Sequence, residues 1–225
     1  HRSPMKSMIR LFLCLLAAPL FAATAYPPTF ADARVETYRK VGSTELKLWI
    51  FGESDPKAPK PAIVFFFGGG WNSGSPDQFE SQARHFAKLG MIAITADYRV
   101  KSRHGVQVAE CVKDAKAAIA WARENAQRLG IDPDKIAASG GSAGGHLAAA
   151  TALVTGFEDG DHPETSSMPN ALLLFNPAVV IAPVEGHSDL LSAENLADIS
   201  QRTDGRPGEI SPYHFVREGL PPSII

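Results

Sequence analysis

The chain has 225 residues, 44% of them hydrophobic, enough apolar surface to bury one sizeable core. With 22 basic and 24 acidic side chains the formal charge is −2, and no basic run marks a nucleic-acid or polybasic membrane surface. Only two cysteines are present, Cys14 and Cys111, so a disulfide framework is excluded as the source of stability.

The first segment reads as a targeting signal. Lys6 and Arg10 precede an apolar stretch over residues 11–22, and Ala23-Thr24-Ala25 then offers small residues at a cleavage site. A signal peptide over residues 1–25, cut after Ala25, is expected, with export to the periplasm or beyond. Ala31-Asp32-Ala33 is a weaker second site. An uncleaved anchor is the alternative, against which the shortness of the apolar stretch argues. Residues ahead of Met5 or Met8 read as upstream translation. Loss of Cys14 with the signal would leave Cys111, whose helical neighbours Ala109, Val112, Ala115 and Ile119 mark it as a small buried group rather than a reactive thiol.

From Val35 onward strand and helix patterns alternate. Residues 35–41 and 46–51 suit an antiparallel pair joined at Gly42-Ser43. The continuous apolar run Ala62-Ile63-Val64-Phe65-Phe66-Phe67 suits a strand covered on both faces. Phe79, Ala83, Phe86 and Ala87 recur at helical spacing within residues 78–89, with Gly90 as a stop. A second buried strand follows at 91–96, then a long helix over 106–129 closed by Gly130. Ile131-Asp132-Pro133-Asp134 reads as a turn feeding a short strand at 135–139. An alanine-rich helix is expected over 144–155 and another apolar strand over 171–175. Residues 156–169 and 183–212 are less regular, with a short helix near 190–199. This alternation predicts an α/β domain over residues 35–225 with a mostly parallel sheet and helices on both faces. In such sheets ligands gather at the carboxyl ends of the strands.

Two motifs fall at such ends. Gly140-Gly141-Ser142-Ala143-Gly144 sits between strand and helix, the sequence form of an elbow that presents a nucleophilic serine. Phe67-Gly68-Gly69-Gly70-Trp71 leaves an earlier strand, and a glycine triplet there can aim backbone N–H groups at a developing oxyanion. A glycine turn with an incidental serine would explain either motif alone; the two in register point to acyl transfer.

These residues, with Asp97-Tyr98-Arg99, Asp132-Pro133 and Gly144-Gly145-His146-Leu147, resemble the α/β-hydrolase fold over residues 37–225. Within it they are similar to the hormone-sensitive-lipase-like esterases and to secreted acetyl- and feruloyl-esterase-like proteins. The resemblance implies Ser142 as nucleophile and the N–H groups of Gly69, Gly70 and Ala143 as an oxyanion hole. Phe67 stands where that family often has histidine, but the donors are backbone groups, which packing can hold. Trp71 would wall the acyl pocket or anchor the core.

In this fold the triad runs Ser, then Asp or Glu, then His in chain order. Leu220-Pro221-Pro222-Ser223-Ile224-Ile225 reads as the start of the penultimate strand, so the acid and the histidine are expected beyond Ile225, and the 225 residues alone should be inactive. His85, His104, His146, His162, His187 and His214 are the histidines left to weigh as a base, with Glu185 and Asp189 as variant acids. His85 reads as a surface or capping residue, His104 as a group on the pocket rim and His146 as packed under the sheet. Asp97 and Asp114 read as holding loops and helix ends. No metal-ligand spacing or dinucleotide fingerprint is present, and no cofactor is expected. The expected partner is a small-molecule or polysaccharide ester, with no nucleic acid and no stable membrane span after signal cleavage. An amide or peptide hydrolase on the same fold, and a non-catalytic hydrolase-like binding module, are the alternatives to a serine carboxylic-ester hydrolase.

Overall fold

The computed structural model describes residues 25–158 and 160–225, so the expected signal segment lies, apart from Ala25, outside the described residues. Seven strands form one sheet: β1 (Arg34–Val41), β2 (Thr44–Phe51), β3 (Lys60–Phe66), β4 (Ile92–Ala96), β5 (Ile131–Gly141), β6 (Ala171–Phe175) and β7 (Ser223–Ile224). Their spatial order is β1-β2-β4-β3-β5-β6-β7. β1, β2 and β4 pair antiparallel, and every other pairing is parallel.

The apolar runs are continuous because both faces of the sheet are covered. Along β3, Ala62, Val64 and Phe66 face one core, while Ile63 and Phe65 face another. The first core is filled by α3 (Val108–Glu124) and α5 (Ala143–Leu153). The second lies under α1 (Glu80–Lys88), with Phe86 and Ala83 packed against Phe65 and Phe51. Phe30 also enters this second core at 8% exposure, so cleavage after Ala33 would strip a packed aromatic from it.

The helix expected over 106–129 is two helices. Glu110 caps the N–H of Gln107 at 3.1 Å, which starts α3 at Val108. Its end comes at Asn125, whose side-chain amide takes the Trp121 carbonyl at 3.0 Å. α4 (Ala126–Leu129) then closes on Gly130, which has φ of +65°. The expected turn at 131–134 is a register shift inside the longer strand β5, with the Asp132 carboxylate accepting from the Asp134 N–H. The helix near residue 190 begins later, as α6 (Ala193–Arg202), because Ser192 caps the N–H of Asn195 at 3.1 Å. A single helical turn, α2 (Lys101–His104), had no periodic signal.

Register sets the working edge. Phe66 of β3 pairs with Ala96 of β4 and Gly140 of β5, and Gly141 pairs with Phe175 of β6. The exits of these strands therefore stand side by side. Beneath β4's exit, Asp114 is fully buried and accepts from Arg39 Nη1 at 3.0 Å, Arg99 Nε at 2.8 Å and the Arg99 N–H at 3.0 Å. Burial raises the Asp114 pKa despite both arginines, so the cluster specifies geometry more than it adds stability. Removing the carboxylate is the costly change, since it takes the ion pair from the largely buried Arg99, whereas Arg39 keeps a second one with Asp161 at 3.4 Å. Asp114→Asn is expected to cost about 3 kcal/mol or more and to lower the Tm by roughly 6–12 °C. A thermal melt showing a drop within about 2 °C would contradict this account of the β4 exit.

Candidate active site

Ser142 ends β5 and precedes α5 with φ of 52° and ψ of −118°, a conformation that costs a non-glycine residue about 1–3 kcal/mol. It persists because both sides of the turn are tied down. The Ser142 N–H donates to the Phe175 carbonyl at 3.1 Å, and its carbonyl accepts from His146 N–H at 3.0 Å and Ala178 N–H at 3.2 Å. The side chain is left exposed at the sheet's edge.

The glycines around it are required by close approach. A methyl group on Gly144 would fall 2.5 Å from the Phe67 carbonyl oxygen and closer still to that of Phe66. One on Gly140 would sit 2.5 Å from the Gly144 carbonyl. α5 thus enters almost against the backbone of β3 and β5, and all eleven of its residues are buried. Alanine fills five of its eleven positions, which lets the helix seat close against the sheet and α3.

The same approach brings the glycine triplet to Ser142. A methyl group on Gly68 would meet Ser142 Cβ at 3.5 Å and Gly141 O at 2.9 Å. Gln78 Oε1 accepts from the Gly68 N–H at 2.5 Å, and the Gly69 carbonyl accepts from the N–H groups of Asn72 and Ser73, both at 3.1 Å. Those bonds orient the loop while leaving the N–H groups of Gly69, Gly70 and Ala143 without an acceptor among the described residues. Phe67 holds the loop by packing instead of hydrogen bonding. Its ring stacks on Tyr98 at 4.0 Å, and the Tyr98 hydroxyl donates to the Phe67 carbonyl at 2.8 Å.

Ser142 stands between two clefts. One, of about 250 Å³, is lined by Gly70, Trp71, Ala143, Ile181, Leu191 and Ile199. The other is more open and runs past Gly68, Gln78, Phe79, Phe175 and Asn176. Trp71 borders the first cleft and is also anchored in the core, 7% exposed, with Nε1 donating to His146 Nδ1 at 3.3 Å.

The histidines have other partners. His146 is fully buried, and its Nε2–H donates to the Ile210 carbonyl at 2.7 Å while Nδ1 accepts from Trp71. His104 accepts from the Val100 N–H, His162 pairs with Glu124, and His214 lies between Ser211 and Pro183. His85 is exposed and stacks edge-on against Phe86; His187 is exposed, as are Glu185 and Asp189. None of these contacts is with Ser142. His104, expected on the pocket rim, instead caps its own turn. Among the described residues no group of three or more His, Cys, Asp or Glu is arranged to hold a metal ion. Cys111 is buried with its Sγ–H directed at the Arg99 carbonyl, and burial raises its pKa well above the ordinary thiol value.

This edge of the sheet has close counterparts. The BD-FAE family matches residues 48–225. The chain belongs to that family of α/β hydrolases. It is similar to Thermogutta terrifontis esterase 2, a thermophilic planctomycete protein solved phosphonylated by sarin and, separately, with butyrate bound. The sarin form is 49% identical with a TM-score of 0.84, covering 89% of this chain and 74% of that one. The butyrate-bound form is 49% identical with a TM-score of 0.81, covering 90% and 74%. Among curated relatives, the Mycobacterium tuberculosis esterase LipQ is 31% identical over 80% of this chain, and carboxylesterase NlhH is 33% identical over 56%. The chain spans less than half of these two relatives' length, 44% of LipQ and 40% of NlhH. The α/β-hydrolase fold and the serine-esterase family expected from the motifs are therefore met. The signal that the sequence reading lacked was the α6 segment, which reaches this edge through Asn195, Asp198 and Ile199.

Two buried titrating groups oppose each other here. Burial lowers the His146 pKa from 6.5 to about 4, and burial raises that of Asp97 from 3.8 to about 6. Between pH 4 and 6.5 the unfolded imidazole takes up a proton that folded His146 refuses, so His146 costs stability on acidification. Over nearly the same window folded Asp97 holds a proton that the unfolded carboxylate releases, so Asp97 costs stability as pH rises. Each contribution amounts to about 3 kcal/mol, and the two largely cancel. His146→Gln should therefore tilt the Tm against pH profile upward toward acid, and Asp97→Asn should tilt it downward. Melts from pH 4 to 7 check this; tilts of the same sign would refute the assignment.

Proposed function

We propose that the protein is an exported serine carboxylic-ester hydrolase that works through an acyl-enzyme on Ser142. The observation that carries this reading is the exposed, strained Ser142 where two clefts meet, with the N–H groups of Gly70 and Ala143 on one cleft and that of Gly69 on the other, none with an acceptor among the described residues. A serine hydroxyl is a weak nucleophile at neutral pH and needs a base. In the full-length protein that base is a histidine held by a carboxylate, which removes the Ser142 proton as Oγ attacks the ester carbonyl. Charge that develops on the carbonyl oxygen is met by Gly69, Gly70 and Ala143 N–H groups, the last at the N-terminus of α5. Collapse expels the alcohol, and water, activated by the same base, releases the acid.

The cleft of about 250 Å³ walled by Trp71, Ile181, Leu191 and Ile199 suits a short acyl chain. That agrees with the butyrate and propionate bound to the Thermogutta relative. Acetyl to butyryl esters of small alcohols or polysaccharides are the substrates this reading favours. Ser142→Ala in the full-length protein should lower hydrolysis of p-nitrophenyl butyrate by about 10³-fold or more. It should also abolish the mass increment left by paraoxon, an agent that phosphorylates the relative. Hydrolysis that survives the substitution would remove the proposal.

Export rests on the basic and apolar pattern of the first 25 residues. Cleavage after Ala25 suits the packing beyond it: the Tyr26 hydroxyl donates to Asp97 Oδ2 at 2.6 Å, and Phe30 is buried. Protein recovered from outside the cytoplasm should begin at Tyr26 by N-terminal sequencing. A start at Arg34, or an intact leader, would overturn this part of the reading.

A further inference from the structure

α6 covers the acyl-side cleft through Asn195, Asp198 and Ile199, yet none of its residues is fully buried. Ile199 packs on the edge of the core, and Thr203, just past the helix, is buried with its hydroxyl donated back to the Ile199 carbonyl at 2.8 Å. Among the described residues one side-chain hydrogen bond leaves this helix for the glycine loop. Arg202 Nη1 donates to the Gly70 carbonyl at 2.7 Å. The guanidinium is held in place from within the helix, Nε to Asp198 Oδ2 at 2.8 Å and Nη2 to Asp198 Oδ1 at 3.0 Å. This is the two-point fork that arginine forms and lysine cannot.

The contact is built into the backbone of Gly70. This residue has φ of +61°, and a methyl group on it would lie 2.8 Å from Arg202 Nη1. The guanidinium therefore occupies the space a side chain would fill. A glycine at positive φ has wide rotational freedom, and nothing else in the loop accepts or donates at the Gly70 carbonyl. The Gly69 carbonyl is fixed by Asn72 and Ser73, which sets one end of the Gly70 unit; Arg202 sets the other.

From this geometry we infer that Arg202 is a positioning residue for the oxyanion loop, and that Asp198 couples it to the acyl group lodged under α6. The inference rests on the serine-esterase reading above. The Gly70 N–H shares a peptide plane with the Gly69 carbonyl, held by Asn72 and Ser73, and Arg202 holds the next plane, so an acyl chain that fits beneath Asp198 and Ile199 leaves Gly70 Cα clamped between two fixed planes. One that displaces the helix withdraws Arg202 and loosens a donor. Acyl selectivity then appears in kcat as well as in KM, because the donor acts on the transition state.

The test compares Arg202→Ala, Arg202→Lys and Asp198→Asn in the full-length protein, with active sites titrated by paraoxon so that misfolded molecules are not counted. Substrates are p-nitrophenyl acetate, butyrate and octanoate. Arg202→Ala should lower titrated kcat on acetate and butyrate by roughly tenfold or more, with KM within about threefold. Arg202→Lys should recover part of that loss, since an ammonium can still reach the carbonyl. Asp198→Asn should narrow the kcat difference between butyrate and octanoate. A titrated kcat for Arg202→Ala within about twofold of the parent, while hydrolysis still depends on Ser142, would overturn this inference alone. Hydrolysis that persists in Ser142→Ala would overturn the reading of the site and this inference together.

Discussion

The close seating of α5 against the exits of β3 and β5 is the constraint on which the site depends. Side chains at Gly140 and Gly144 would collide with the carbonyl groups of Phe66, Phe67 and Gly144 itself. Their absence lets the helix begin within a residue of the strand's end, and so forces Ser142 into positive φ. The strain is confined to one residue because the turn is bonded on three sides, to Phe175, His146 and Ala178. It also places the first N–H of α5 beside the glycine loop, where the helix dipole adds to the field of the orphan donors.

The loop opposite is held from a different direction. Where a polar residue could tie a glycine triplet through a side-chain bond, Phe67 ties it through a ring stacked on Tyr98, and Tyr98 returns a hydrogen bond to the Phe67 carbonyl. Asp97 and Arg99 flank that tyrosine and are fixed in turn, Asp97 by Tyr26 and by the Tyr98 N–H, Arg99 by Asp114. The Asp-Tyr-Arg run is therefore a bracket under the glycine loop. A stacked aromatic and a neutral hydroxyl carry no charge into this side of the loop; the charged contact comes from the other side, through Arg202 at the Gly70 carbonyl.

How much of this was legible in the residues depends on sequence distance. The continuous apolar runs of β3 and β4 and the glycine-flanked Ser142 are local signals, and they located strands, elbow and loop to within a few positions. The break at Asn125 was missed because asparagine reads as a tolerated helical residue until its amide takes the Trp121 carbonyl. His146 could be placed in the core from its helical position, but its bonds to Trp71 and Ile210 span 75 and 64 residues and follow from packing alone. Arg202 and Gly70 lie 132 residues apart, in an irregular segment with no periodicity to announce it. An arginine at the end of a surface helix looks the same whether it faces water or a functional loop.

The two clefts that meet at Ser142 differ in a way that bears on the order of chemical events. On the proposed reading, an acyl chain bound against Trp71, Ile181, Leu191 and Ile199 displaces water and lowers the local dielectric around the carbonyl. The proposed donors Gly69, Gly70 and Ala143 would then act most strongly when that side is occupied. The other side is wide and rimmed by Gln78 and Asn176, with Phe175 at 41% exposure. An alcohol leaving by that route meets polar groups and open solvent, and the water that completes the cycle can enter as it departs. For the proposed acyl-enzyme, an apolar-walled acyl side and a more open leaving side suit a double displacement better than a single attack by water. In that proposal the first half draws on the apolar wall, and the second on the open path to the same carbonyl.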